Sequence, residues 1–541
     1  MAVTPNTVVH FLNVPLENNY KNQIYFDNRS NQTTFMMTKR VKDTDGNPLT
    51  FSNLTYQRKD NVIRVPVHID KMINANYVMY QNTSYTDRWF YAFITKMEYV
   101  NDGRTDVYIE TDVWQTWFDR ITLKKSFVER EHVTDDTIGL HTVPEGLETG
   151  EYVCNFHEMD DKLNDVKNDI TYIMGATSNP TSASADDSPS GSGVYNGIYS
   201  GVRYFYFETK DDLDKALSNI AKAGKSDCIT GIFMAPKFLC PYDTEYDPDG
   251  SIITNNFFYP IKDSTQPQIH SKTLVKHYNR LDGHQVKNNK LFTYPYNYLL
   301  VSNNNGSSVV YEYEHFAEGD IEFSIKSALC PGCSIRMLPK NYKGAEENDE
   351  EGINLGKYPI CNYSVDMYTN WLTQNSVNMG LDYVKSGVKM VAGAGMMVVG
   401  FGAGVAGGAG LMYSGAMGIA DTMAQKYEHS LVPPQARGNI NCGDVVTSDS
   451  KNTFHFYKMS VKKEYAEMID NFFEMFGYKV NTVKVPNISS RPHWNYVKTI
   501  GVNLDGQAPQ EDLKKIAQMF DNGVTFWKDG NNVENYSLNN H

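Results

Sequence analysis

Polar and apolar residues alternate through much of this chain, and a period of two predicts strands. From Trp89 the run WFYAFITKMEYV reaches Asn101-Asp102-Gly103-Arg104 and returns as TDVYIETDVW, with Val107, Ile109 and Val113 set against Asp106, Glu110 and Asp112. That pattern predicts a β-hairpin with a glycine-containing turn and one wet face. A second antiparallel meander is expected from SSVVYEYEHF, IEFSIKSAL and CSIRMLP, punctuated by Glu318-Gly319 and Pro331-Gly332. Residues 177–193, TSNPTSASADDSPSGSG, hold no apolar side chain larger than Ala and predict a mobile surface loop. Next come a strand in GVRYFYF, a helix in DDLDKALSNIAKA opened by Thr209 and closed near Gly224, and a strand in CITGIFMAP. They make a small α/β module inside a β protein. Helical spacing predicts two further helices, from Ser460 to Gly477 and from about Pro509 to Gly523, with strand-like VNTVKVP and WNYVKTI between them.

One segment obeys neither period. Residues 390–420, MVAGAGMMVVGFGAGVAGGAGLMYSGAMGIA, run for 31 positions without a charge or a proline. A spanning helix needs roughly 20 mostly apolar residues, so the length suffices for a bilayer. The segment contains ten Gly and seven Ala, and each glycine weakens a helix in water by about 0.5–1 kcal/mol relative to Ala. In lipid every unsatisfied backbone group costs several kcal/mol, which favours helix regardless. Its larger side chains, Met390, Val391, Met396, Met397, Val398, Val399 and Phe401, then Val405, Leu411, Met412, Tyr413, Met417 and Ile419, are the candidate membrane-active residues. The competing readings are a Gly/Ala-rich core helix and a flexible linker. Gly400, Gly404 and Gly408 match small-xxx-small helix packing. Gly402, Gly404 and Gly407 match a dinucleotide fingerprint but lack its strand and helix context.

Composition narrows the choices. At 541 residues, three or four domains are expected. The aromatic load, with 36 Tyr and 26 Phe, favours β structure. A net charge of −14 argues against a surface that grips phosphates; an acidic wall lets nucleic acid pass without sticking. Seven cysteines without regular spacing suit a reducing cytoplasm, and the N-terminus does not read as a secretory signal. Cys330-Pro331-Gly332-Cys333 has the spacing of half a zinc or redox site, with Cys361 and Cys442 as weak completing ligands, but Pro-Gly is a standard turn dipeptide. Asp43-Thr44-Asp45-Gly46 and Asp247-Pro248-Asp249-Gly250 read as turns, since neither continues to the glutamate of a calcium loop. Glu110 and Asp112 share a strand face that solvation explains. No nucleophile, metal-protease or nucleotide motif stands out, so neither catalysis nor a cofactor is expected.

Several segments together resemble a known family. FLNVPLENNYKNQIYF (11–26), EYVNDGRTDVYIETDVWQTWF (98–118), VEREHV (128–133), Pro144-Glu145, Gly150-Glu151-Tyr152 and YPYNYLLVSNNNG (294–306) carry the first part. PPQARGN (433–439), FGYKVN (476–481), RPHWNYVKT (491–499) and residues 523–527 carry the rest. The chain resembles the tail knob, or major tail tube, proteins of short-tailed (podovirus, Picovirinae-type) bacteriophages of Gram-positive bacteria.

The resemblance implies a hexameric ring of β-barrel tube domains at the distal tail, with double-stranded DNA passing through the lumen without sequence-specific binding. It implies a hydrophobic loop that plugs the tube, then enters the host membrane as a pore. Lys385, Lys389 and Lys426 would meet headgroups there. Other tail proteins, of the upper collar and tail, are the implied partners, with assembly in the host cytoplasm and residence at the virion's tail tip. The expected layout is a barrel domain over 1–150, an α/β insertion over 151–290, a second β domain over 291–375, the loop region over 376–445 and a C-terminal α/β part over 446–541. A tail-associated hydrolase of cell-wall polymer is the main alternative, and it predicts a cleft with a perturbed carboxylate pair. A secreted pore-forming toxin is a third, and it should carry an export signal.

Overall fold

The computed structural model describes residues 6–541 apart from positions 44–45, 55, 58–60, 85, 165, 178–192, 223–227, 244–258, 277–279, 305, 318, 331–332, 357, 359, 362–390, 394–395 and 399–452. The fold is mainly β, as the alternation predicts. The expected loop at 177–193 falls almost wholly outside the described residues. The chain divides into two units, one made of Met1–Glu151, Gly283–Thr293 and Lys462–His541, the other of Tyr152–Asp282 and Tyr294–Val461.

The first unit holds a seven-stranded antiparallel sheet ordered Thr50–Ser52, Thr7–Leu12, Tyr77–Asn82, Phe90–Asn101, Arg104–Thr111, Val62–Val65, Tyr56–Gln57. Its central hairpin is the predicted one. The Asn101 side-chain carbonyl accepts the Gly103 N–H at 3.0 Å and closes the turn. Val107 and Ile109 face a core with Val9 and Ile63, while Asp106 receives a bidentate pair from Arg64 at 2.6 and 2.7 Å. The wet face stops one residue short of the expectation. The strand ends at Thr111, and Asp112 is fully buried as the N-cap of the helix Val113–Trp117, accepting the Gln115 N–H at 3.1 Å.

A second sheet of the same unit runs Asn22–Ile24, Val524–Trp527, Trp494–Ile500, Ser126–Glu131, Tyr478–Lys484. Asn22–Ile24 lies parallel to Val524–Trp527, so sequence-distant strands share a sheet. Both predicted C-terminal helices are present, as Lys463–Phe476 and Gln510–Asn522. Each stops at a glycine of positive φ, Gly477 at 64° and Gly523 at 89°.

The second unit contains the predicted α/β module. Ile170–Ala176 is buried throughout, between the antiparallel partners Arg203–Phe207 and Ile229–Pro236. The helix Lys210–Lys222 joins those two outer strands in a split β-α-β arrangement. It opens with the Thr209 hydroxyl accepting the Asp212 N–H, and Leu213, Ala216, Leu217 and Ile220 form its buried stripe.

The second meander is not one meander. Ser308–Tyr311 pairs with Asn297–Ser302, in a four-stranded sheet with His455–Val461 and Tyr152–Met159. Ile321–Lys326 and Arg336–Tyr342 pair with each other in a separate sheet, alongside Ile269–Leu274. The chain changes sheet because Tyr311, Tyr313 and Phe316 are all buried. The Tyr311 and Phe316 rings pack across the core against Tyr342 and Phe323.

Candidate functional site

The described chain on either side of residues 362–452, which contain the apolar segment, is anchored in the second unit. On the upstream side Ile360–Cys361 pairs with Ile229–Pro236, through Phe233↔Ile360 and Ile232↔Cys361. Tyr358, just before it, is fully buried and donates its N–H to the Cys333 carbonyl at 2.8 Å. Downstream, Thr453 and Phe454 are buried, and the Phe454 carbonyl accepts the Asp160 N–H at 3.1 Å. The chain then enters His455–Val461, flanked by Tyr152–Met159 and Asn297–Ser302.

Between these feet, residues 362–452 lie outside the described residues except for two short backbone runs. Val391–Gly393 and Met396–Val398 pair antiparallel, which places the backbones of Val391, Met396, Met397 and Val398. Met390, Val399, Phe401, Val405, Leu411, Met412, Tyr413, Met417 and Ile419 fall outside, as do Lys385, Lys389 and Lys426. Among the described residues, no helix is long and apolar enough to cross a membrane.

The weaker candidates separate. No disulfide joins Cys330 to Cys333, and burial pushes the Cys333 thiol up to about 12, away from the thiolate that metal binding and redox exchange need. The Cys361 side chain, Cys442 and the loop at 247–250 lie outside what is described. Two described carboxylates have their pKa raised by burial, Asp112 and Glu314. Each is engaged in structural bonds: Asp112 caps a helix and takes the Tyr77 hydroxyl at 2.8 Å, and Glu314 takes the Tyr294 N–H at 3.0 Å. Neither offers the acid–base pair a hydrolase requires.

Of the segments that carry the family resemblance, VEREHV, Glu145, FGYKVN and RPHWNYVKT meet in the first unit in a buried polar knot. The Glu145 side chain is fully buried and accepts from the Lys290 ammonium, the Arg130 guanidinium and the Lys479 N–H. The His132 Nδ1 accepts the Tyr496 N–H at 2.7 Å, and burial pulls its pKa down to about 4. Trp494 donates its indole N–H to the Glu474 carbonyl at 3.0 Å. A Cβ at Gly477 would collide with the Glu131 carbonyl, so the FGYKVN segment needs its glycine for close approach. These contacts hold sequence-distant strands together. Sequence spacing gives no sign of a further grouping made by the fold, Asp160 and Asp161 beside His270.

Comparison with known proteins agrees with this architecture. Residues 5–122 match the family model of the caudoviral major tail protein N-terminus. Residues 261–541 match the model of the C-terminal domain of the tail knob protein gp9 of Bacillus phage phi29. Tail knob proteins gp9 of Bacillus phages PZA and phi29 are each 26% identical to this chain, over 100% of both chains; that of phage B103 is 26% identical over 98% of this chain and 97% of its own. The tail knob protein gp12 of bacteriophage C1 shares the fold at a TM-score of 0.65, with 15% identity, over 99% of this chain and 98% of that one. With a family model spanning more than half of its length, the chain belongs to the phi29 gp9 family of phage tail knob proteins.

Proposed function

We propose that six copies of this chain form the distal tube of a short-tailed phage, that DNA leaves through its lumen, and that residues 390–420 close the tube before infection and enter the host membrane during it. The observation that carries this reading is a 31-residue uncharged stretch planted between two buried feet in a tail knob protein. Exposed apolar patches larger than a few hundred Å² drive association, so six such segments are best hidden against one another in a closed ring. On distal opening, lipid replaces the surroundings they lose. Lys385, Lys389 and Lys426 then sit at the headgroups. Neither a catalytic step nor a cofactor enters the proposal.

The test is dye release from liposomes by the full-length protein and by a form lacking residues 391–420, from about pH 4 to about pH 8, with particle mass followed by light scattering. Leakage by the full-length protein alone, with both forms hexameric, is the expected result. If neither form leaks and the deletion unfolds, the segment is core and the membrane role is wrong.

A further inference from the structure

Asp160 and Asp161 follow the strand Tyr152–Met159, and His270 lies in the strand Ile269–Leu274 of another sheet in the same unit. The His270 Nε2 stands 3.0 Å from Asp160 Oδ2 and 3.4 Å from Asp161 Oδ1. All three donor atoms lie within 4.8 Å of one another. We propose that Asp160, Asp161 and His270 bind a divalent transition cation of the zinc class and that the ion ties these two sheets together.

Donors bonded to zinc at about 2.0–2.1 Å in a tetrahedron stand roughly 3.3 Å apart, close to the two nitrogen–oxygen separations. Asp160 is fully buried and pre-set: its Oδ1 accepts the Lys162 N–H at 2.9 Å, which leaves Oδ2 facing the imidazole. His270 is largely buried, with its ring 5.8 Å from that of Phe238. Asp161 is 66% exposed, so the fourth position opens to water.

In the absence of an ion, a protonated imidazole would lie between the two carboxylates, one cation to two anions. The neighbouring Glu158 and Lys272 show the one-to-one case, at 2.5 Å. With a neutral imidazole, two carboxylates balance a doubly charged ion. One nitrogen and two oxygens suit Zn²⁺, Co²⁺ or Mn²⁺, whereas Ca²⁺ demands six to eight oxygens. The site also lies beside the start of the strand His455–Val461, since the Asp160 N–H holds the Phe454 carbonyl. It is independent of any membrane role.

Full-length protein stripped with chelator would be titrated with Co²⁺ by visible absorption, then with Zn²⁺ by calorimetry. One Co²⁺ per chain is expected, without a thiolate charge-transfer band and displaced by Zn²⁺. Loss of an outer-shell partner alone weakens metal binding by about 10- to 100-fold, so Asp161→Asn, at an exposed position, should weaken Zn²⁺ by at least about tenfold with the metal-free melting temperature unchanged. His270→Gln should abolish the site. A thiolate band, no saturable binding, or unchanged affinity in both variants overturns the proposal.

Discussion

Among the described residues no cation pairs with Asp112, and burial raises its pKa to about 7 even though the Gln115 N–H and the Tyr77 hydroxyl both donate to it. Unfolded, it titrates near its ordinary 3.8. Between those values the folded chain keeps a proton that the unfolded chain releases, so stability falls as pH rises through the window and is fully present only below about pH 4. Asp112→Asn keeps a cap acceptor and removes the charge. Its melting temperature relative to the parent should therefore become steadily more favourable from about pH 4 to about pH 8, as scanning calorimetry would show. A flat difference would refute this account of the buried carboxyl. The period of two could not reveal it. Alternation carries Asp112 onto the same face as Asp106, and a helix of five residues is too short to announce its own periodicity.

At the scale of elements, amphipathic stripes made the helices legible. Lys463–Phe476 and Gln510–Asn522 lie inside the ranges expected from their spacing, and Trp494–Ile500 is the strand read from WNYVKTI. Partners were not legible, because pairing is decided by packing between distant segments. Ser308–Tyr311 joins a different sheet from Ile321–Lys326, and Asn22–Ile24 lies beside Val524–Trp527. The helix Lys463–Phe476 shows how one residue fixes such a distant contact. Asp470 is 1% exposed; it takes the His284 Nε2–H at 2.7 Å, the Lys287 and Asn288 N–H groups at 3.0 Å, and the Asn288 side-chain amide at 2.7 Å. That anchor binds Gly283–Thr293 into the first unit. Asp470→Ala strands several buried donors together, so a loss of about 3 kcal/mol or more is expected by denaturant unfolding. A loss below about 1 kcal/mol would mean that the segment is held by something else.

Over the whole molecule, the apolar segment was legible because hydropathy is a local property, whereas Asp160 and His270 meet only in the fold. Net charge is legible for the same reason as hydropathy, and it bears on the proposed passage of DNA. Proteins that hold duplex DNA neutralise phosphates with Lys and Arg, and the released counterions make that binding strongest at low salt. Here 64 acidic residues face 50 basic ones, and several of the cations are already engaged: Arg64 by Asp106, Lys272 by Glu158, and Arg130 and Lys290 by Glu145. A tube wall that gripped its cargo would slow ejection, while one of like charge repels it towards the axis. Mixed-sequence linear duplex should therefore migrate unretarded with the full-length protein even at about 50 mM salt, where electrostatic binding is most favoured. Retardation that fades as salt rises would expose a basic surface on the chain and defeat the picture of an unhindered lumen.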